Sequence, residues 1–319
     1  MAPDRNMPPC KREDCTFLSR KVVCRAWLYR PVVPAGTRLP CIVMAHGLGG
    51  TREAGLAPYA ERFAAAGYGV LVFDYRHFGD SDGEPRQLLS IRRQLQDWES
   101  AITFARGLSG MDPDRIALWG SSFSGGHVIV VAARDRRVAA LAAQGPMMDG
   151  WAALVNFLEY AGAGQLLRLA RLGVLDLARA LAGRPALTVP VIAKPGALAA
   201  MSSSDAYDGY RALAPPDWRN ELCARFALTL GTYRPILYAR KVACPALIQV
   251  CRRDSVAPAA AAVATARRMG RRAELQRYDC GHFDIYVGAV FERAVRDQLV
   301  FFDRALRPQD NPFKKTSAT

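Results

Sequence analysis

The chain has 319 residues, half of them hydrophobic and under a quarter charged, which excludes intrinsic disorder and allows a large buried core. Its formal net charge of +14 comes from arginines scattered along the chain, in short doublets such as Arg252-Arg253, Arg267-Arg268 and Arg271-Arg272 without interleaved aromatics, so a nucleic-acid site is not expected. The cysteines at 10, 15, 24, 41, 223, 244, 251 and 280 form no C-x-x-C pair, which argues against zinc or thiol-redox chemistry, and no window approaches ~18 uncharged apolar residues as a membrane span requires.

Residues 1–14 are polar, charged and Pro-containing and are expected to be flexible, as are residues 309–319. The first residues lack the apolar run of a secretory signal, and the cysteines sit in strand-like runs as free thiols do, so a cytoplasmic, reducing setting is expected. Residues 15–19 and 22–29 predict an opening antiparallel pair. The fully apolar runs 41–45 and 70–73 predict buried parallel strands, with a helix over 51–66 between them that stops at Gly67. A long amphipathic helix over 89–108 follows, then a strand over 116–119, a helix over 122–134 and a strand over 138–143. The series resumes with a strand over 246–250, a helix over 258–269, a strand over 273–278 and a helix over 291–305. This alternation predicts an α/β fold: a mostly parallel eight-stranded sheet flanked by helices.

Residues 149–240 break the alternation. Helical patterns over 154–160, 166–182 and 218–230 are separated by loops around Pro190, Pro195 and Pro215-Pro216. The expected division is therefore a core of residues 15–148 plus 241–308 and an inserted helical cap over 149–240. Ligands of open α/β sheets bind beyond the carboxyl ends of the strands, where such a cap would roof them. Within it Arg168, Arg171 and Arg179 are expected on a helical face opposite leucines. A lid packing those leucines over the pocket is preferred to a membrane-surface helix, and no stable membrane insertion is expected.

The segment Trp119-Gly120-Ser121-Ser122-Phe123-Ser124-Gly125-Gly126 joins a strand to a helix. A nucleophilic serine on so sharp a turn needs small neighbours two residues either side. Gly120 is one; the other is Ser124, where Gly is usual, which makes Ser124 a rival nucleophile although Ser122 is better placed. Of the four histidines at 46, 77, 127 and 282, only His127 and His282 follow the serine, the chain order expected where a nucleophile sits on a strand–turn–helix elbow. His127 lies on the helix that leaves the serine and points elsewhere, whereas His282 stands in a loop after the last strand. Asp254, after the strand over 246–250, is the expected third member. Asp279 is too near His282 in the chain, and Asp205 and Asp208 fall in the cap. Backbone N–H groups of Phe123 and of Leu48, in Ala45-His46-Gly47-Leu48-Gly49-Gly50, are the candidate oxyanion donors, with His46 orienting that loop.

Taken together, His46-Gly47, the segment Asp74-Tyr75-Arg76-His77-Phe78-Gly79-Asp80-Ser81, the elbow at Ser122, Asp254 and His282 resemble the α/β-hydrolase superfamily over roughly residues 16–306. His77 stands where the usual D-x-R-G-x-G-x-S pattern has its first Gly, so that turn is expected to differ. The nearest likeness is to capped single-chain esterases and fungal-type polyketide acyl transferases. The resemblance implies a Ser-His-Asp serine hydrolase acting on a carboxylic ester of an apolar acyl group, with no metal or organic cofactor. Acyl transfer or thioester cleavage on a carrier-bound chain is the alternative. A peptidase, or an inert hydrolase-like binding protein, stands behind both. The sequence leaves the oligomeric state open, a homodimer included.

Overall fold

In a computed structural model, which describes residues 10–34 and 36–307, the apolar runs assemble into one eight-stranded sheet. The strands are β1 (Cys10–Ser19), β2 (Val22–Pro31), β3 (Leu39–Ala45), β4 (Gly69–Phe73), β5 (Met111–Ser121), β6 (Ala140–Gln144), then, after two strands of a separate pair, β9 (Ala246–Cys251) and β10 (Ala273–Tyr278). Their spatial order is β1-β2-β4-β3-β5-β6-β9-β10, with β2 antiparallel to both β1 and β4 and every other pair parallel. The β3, β4, β6 and β9 strands are buried along their whole length, as strands covered on both faces must be.

Helices cover both faces. On one, α1 (Ala57–Ala65) and α8 (Gly288–Leu306) bury Tyr59, Phe63, Phe291 and Phe302 against Val70, Val72 and Trp119. On the other, α2 (Ile91–Gly107), α3 (Phe123–Arg134) and α7 (Ala259–Met269) pack Trp98, Ile102, Val128, Ile129 and Ala262 against Leu71, Leu118, Leu141 and Ile248. Burial of these side chains, at roughly 1.5–3 kcal/mol each, is the main force holding the layers together.

Several boundaries in this core differ from expectation, β5 for example beginning at Met111 rather than at residue 116, and two of the differences have identifiable reasons. Residues 10–14, expected to be flexible, form the start of β1, paired with Trp27–Pro31. Their charged side chains point outward from an edge strand, a common protection against edge pairing, and so carry no apolar run. Residues 1–9 and 309–319 lie outside the described residues. Helix α1 begins at Ala57 rather than at residue 51, because the Arg52 N–H and guanidinium are both held by Asp74 and pull the chain into turns first.

Between β6 and β9 the chain leaves the sheet. The helical patterns over 154–160 and 166–182 are two consecutive helices, together labelled α4 (Gly150–Leu181), that meet at a kink at Gly162 (φ 80°, ψ 163°). A two-stranded antiparallel pair, β7 (Thr188–Val189) and β8 (Leu222–Cys223), and a helix, α5 (Ala206–Leu213), were not anticipated. The helix expected over 218–230 shrinks to a 3₁₀ turn at Ala224–Phe226 and α6 (Ala227–Leu230). Tertiary hydrogen bonds account for this: Trp218 Nε1 donates to Gly49 O, and Arg225 gives its backbone N–H and guanidinium to the buried Asp176. Among the described residues no helix is long and apolar enough to cross a membrane.

Candidate active site

Ser122 stands alone between the end of β5 and the start of α3, with φ 55° and ψ −119°. This backbone region costs an L-residue on the order of 1–3 kcal/mol and persists only where neighbours enforce it. Here they do: Ser122 N–H donates to Gln144 O at 2.9 Å, and Ser122 O accepts from Gly125 N at 3.0 Å and Met147 N at 2.9 Å. A Cβ on Gly120 would lie 2.3 Å from Ser124 O, so the first glycine of the elbow is obligatory. At the second small position Ser124 is accommodated. Its hydroxyl turns into the core and pairs with Tyr75 OH at 2.5 Å, and Trp98 Nε1 donates to the same Tyr75 oxygen at 2.8 Å. The two candidate serines are thus separated by direction: Ser124 faces a buried tyrosine and Ser122 faces His282.

His282 follows β10 and Asp254 follows β9, the parallel neighbour of β10, so the two loops emerge side by side. His282 Nδ1–H donates to Asp254 Oδ2 at 2.7 Å, which leaves Nε2 to accept from Ser122 Oγ at 3.1 Å. The other carboxylate oxygen, Asp254 Oδ1, accepts from the N–H groups of Val256 at 2.9 Å and Ala257 at 2.6 Å and is thereby locked in orientation. Burial disfavours charge on His282, but the Asp254 charge and hydrogen bond outweigh it and raise the imidazole pKa above its usual 6.5. Asp279 is mostly exposed and pairs with Arg253. Asp205, within the inserted segment, comes close: it accepts from Ser203 and Ser255, the residue after Asp254, and its charge adds to the rise at His282. No sequence signal marks Asp205, because only the fold of the inserted segment brings it there.

The remaining histidines are buried and neutral. His127 sits inside α3, accepting from Tyr233 OH at 2.6 Å and donating to Gln94 Oε1 at 3.0 Å, and burial lowers its pKa to about 3. His46 donates from Nδ1 to Gly47 O at 2.9 Å, and burial lowers its pKa to about 4. His77 adopts a left-handed backbone (φ 75°) of the kind that favours glycine, and its Nε2 accepts from Arg93 at 2.9 Å.

The loop carrying Gly47 and Leu48 lies against the elbow. A Cβ on Gly47 would sit 2.9 Å from Ser122 Cβ, so glycine is needed for the approach. Tyr210 OH of α5 donates to Leu48 O at 2.9 Å and holds the loop from the other side. Among the described residues neither Leu48 N–H nor Phe123 N–H donates to a protein acceptor, and both residues border the space above Ser122.

Ser122 separates two chambers. The first is walled by Leu48, Phe123, Met147, Leu154, Phe157, Leu166, Leu169, Phe226 and Val256 and holds no charged side chain. The second, smaller, shares Leu48, Ser122 and Met201 with the first and adds His46, Gly50, Tyr210, Leu213, His282, Phe283 and Tyr286. No group of metal-ligating side chains occurs among the described residues.

Residues 22–186, just over half of the chain, match the family described as X-Pro dipeptidyl-peptidase (S15 family). The chain belongs to this family and, with it, to the α/β-hydrolase superfamily. The quorum-quenching protein AidA of Acinetobacter baumannii is 44% identical to this hydrolase over 306 residues, 95% of this chain and 98% of AidA. Thiohydrolase aneE of Aspergillus aculeatus is 40% identical over 110 residues, 34% of this chain and 35% of its own. The crystal structure of the α/β hydrolase GrgF from Penicillium sp. sh18 superposes with a TM-score of 0.76 at 24% identity, over 93% of this chain and 99% of GrgF, a likeness of fold. This α/β hydrolase is an enzyme of the hydrolase or transferase kind.

Proposed function

We propose that this α/β hydrolase cleaves a carboxylic ester of an apolar acyl group through a serine-bound acyl-enzyme, with Ser122, His282 and Asp254 as its triad. One observation carries the reading: the hydrogen-bonded line from Asp254 through His282 to Ser122 ends at the floor of a chamber without a charged side chain. Ser122 Oγ attacks the carbonyl carbon as His282 Nε2 takes its proton, and the Leu48 and Phe123 N–H groups stabilise the oxyanion. His282 borders the second chamber and not the first. The leaving alcohol, which must take its proton from His282, therefore departs through the second chamber, and the acyl chain stays in the first. Water entering from the second chamber then gives His282 a proton and attacks the acyl-enzyme, releasing the acid.

Acyl transfer or thioester cleavage on a carrier-bound chain remains the second reading, supported by the thiohydrolase relative; the same triad would serve, with a thiol as leaving group. A peptidase that holds a substrate amino terminus is disfavoured, because neither chamber is lined by a carboxylate side chain.

The test is fluorophosphonate labelling followed by a panel of p-nitrophenyl esters from short to long acyl chains beside matched acyl thioesters. Wild type and Ser124→Ala should label, and Ser122→Ala should not. An unlabelled wild type would point to an inert binding protein. Turnover of thioesters with flat inactivity on esters would replace the ester reading with the thioester one.

A further inference from the structure

The inner face of α4 beyond Gly162 is accounted for: Leu166 and Leu169 reach into the acyl chamber, and Asp176 is buried against Arg225. The outer face is not. The sequence suggests leucines on one face and arginines opposite, but leucines occupy both faces. Leu167, Val174 and Leu181 recur at seven-residue spacing and so stand in one row along the helix; they are 64%, 58% and 84% exposed. Leu175, at 52%, widens the row. Arg168 and Arg171 are exposed beside it, and Arg184 lies just beyond the helix end. The only acidic residue between positions 163 and 184 is Asp176, which is buried and paired. Along this stretch of the helix the exposed charge is therefore all positive.

An apolar row edged by arginines with no exposed carboxylate is complementary to a surface that is apolar inside and anionic at its rim. We propose that this face of α4 docks on an anionic lipid bilayer, with Leu167, Val174 and Leu181 entering the acyl–headgroup boundary and Arg168 and Arg171 on the phosphates. A second copy of the chain fits less well, since pairing the two rows would set arginines against arginines. The docking lays the roof of the first chamber on the bilayer, one helix away from where acyl compounds accumulate. That last consequence rests on the ester reading; the docking does not.

The experiment is sedimentation of the full chain with vesicles of phosphatidylcholine alone and of equimolar phosphatidylcholine and phosphatidylglycerol, at low and high salt. Wild type should sediment with the mixed vesicles and not with phosphatidylcholine alone, less so at high salt. The neutral triple variant Leu167→Ser, Val174→Ser, Leu181→Ser should lose about tenfold or more in partitioning while the net charge is unchanged. Arg168→Gln with Arg171→Gln should lose less. These side chains are exposed and outside the two chambers, so melting and short-ester turnover in solution report whether each variant is folded. If the triple variant does not melt cooperatively, Leu181→Ser alone serves, with a smaller loss of the same sign. Failure of wild type to sediment with mixed vesicles overturns the proposal. So does equal sedimentation of wild type and triple variant, which would mean that the overall positive charge drives binding. A wild-type dimer that the triple variant converts to monomer would assign the face to a second copy instead. Sedimentation, melting and oligomeric state do not depend on whether Ser122 is the nucleophile, so they decide the docking even if short-ester turnover is absent.

Discussion

The sheet and the segment inserted between β6 and β9 build the site in different ways. The groups proposed to react stand just beyond the ends of β5, β9 and β10, where the ladders of a parallel sheet dictate which loops are neighbours and how far apart they lie. The apolar walls come largely from α4 and α6, joined to the core by side-chain contacts such as Asn156 Nδ2 on Ser255 O, Trp218 Nε1 on Gly49 O and Tyr210 OH on Leu48 O. Asp176 with Arg225 ties the segment to itself. The difference teaches that reaction and selectivity can fail separately. An ångström lost between His282 and Ser122 should end catalysis, whereas an ångström lost in α4 should change which acyl chain fits.

The sharpest way to test the sheet side is Asp254→Asn, which leaves His282 without its carboxylate partner. It should lower kcat on a p-nitrophenyl ester by about 10⁴-fold. His282 must be neutral to accept the serine proton, and its pKa is raised above 6.5, with burial opposing the rise and the Asp254 carboxylate producing it. The wild-type kcat/KM should therefore climb with pH along a limb centred above pH 6.5, and residual activity of Asp254→Asn should have that limb at lower pH. A wild-type limb at or below 6.5 would sink the assignment.

On the other side, Asp176→Ala strands the Arg225 guanidinium and the Leu187 and Arg225 N–H groups that the carboxylate now holds. It should cost about 3–5 kcal/mol in urea unfolding and raise KM for long acyl esters more than it lowers kcat on acetyl esters. A parallel loss of kcat on every ester would mean that the two regions are not separable. Leu166→Trp, which fills part of the first chamber, should shift preference from long to short acyl esters by about tenfold in kcat/KM. The smallest effect is expected of His77→Gly. It relieves a left-handed backbone but gives up the Arg93 hydrogen bond, and calorimetry should find stability within about 1 kcal/mol of wild type.

The buried strands were legible because a strand covered on both faces must be apolar throughout, as β3, β4 and β9 are. The start of β1 was not, because an edge strand can expose charge at nearly every position and then reads like a tail. In the inserted segment, periodicity found α4 and missed α5, and it overextended the helix near Trp218 where side chains such as Asp176 compete for the backbone. Among the candidate site residues, the presentation of Ser122, Asp254, His282 and the His46–Gly47 loop at one end of the sheet was legible from strand–loop position and chain order. The rivalry of Ser124 ended only with its hydrogen bond to Tyr75, and the approach of Asp205 had no local signature at all.

What the sequence determined by itself, then, is the kind of fold and the order in which a serine, an aspartate and a histidine are presented. Apolar alternation and loop position are local properties, and the parallel sheet converts them into proximity. The tertiary structure alone decided which serine faces the histidine, that Ser122 divides two chambers, and that leucines lie on both faces of α4. Those outcomes depend on contacts between residues far apart in the chain, such as Tyr75 with Ser124, Tyr210 with Leu48 and Asp176 with Arg225, and no local pattern encodes a distant partner.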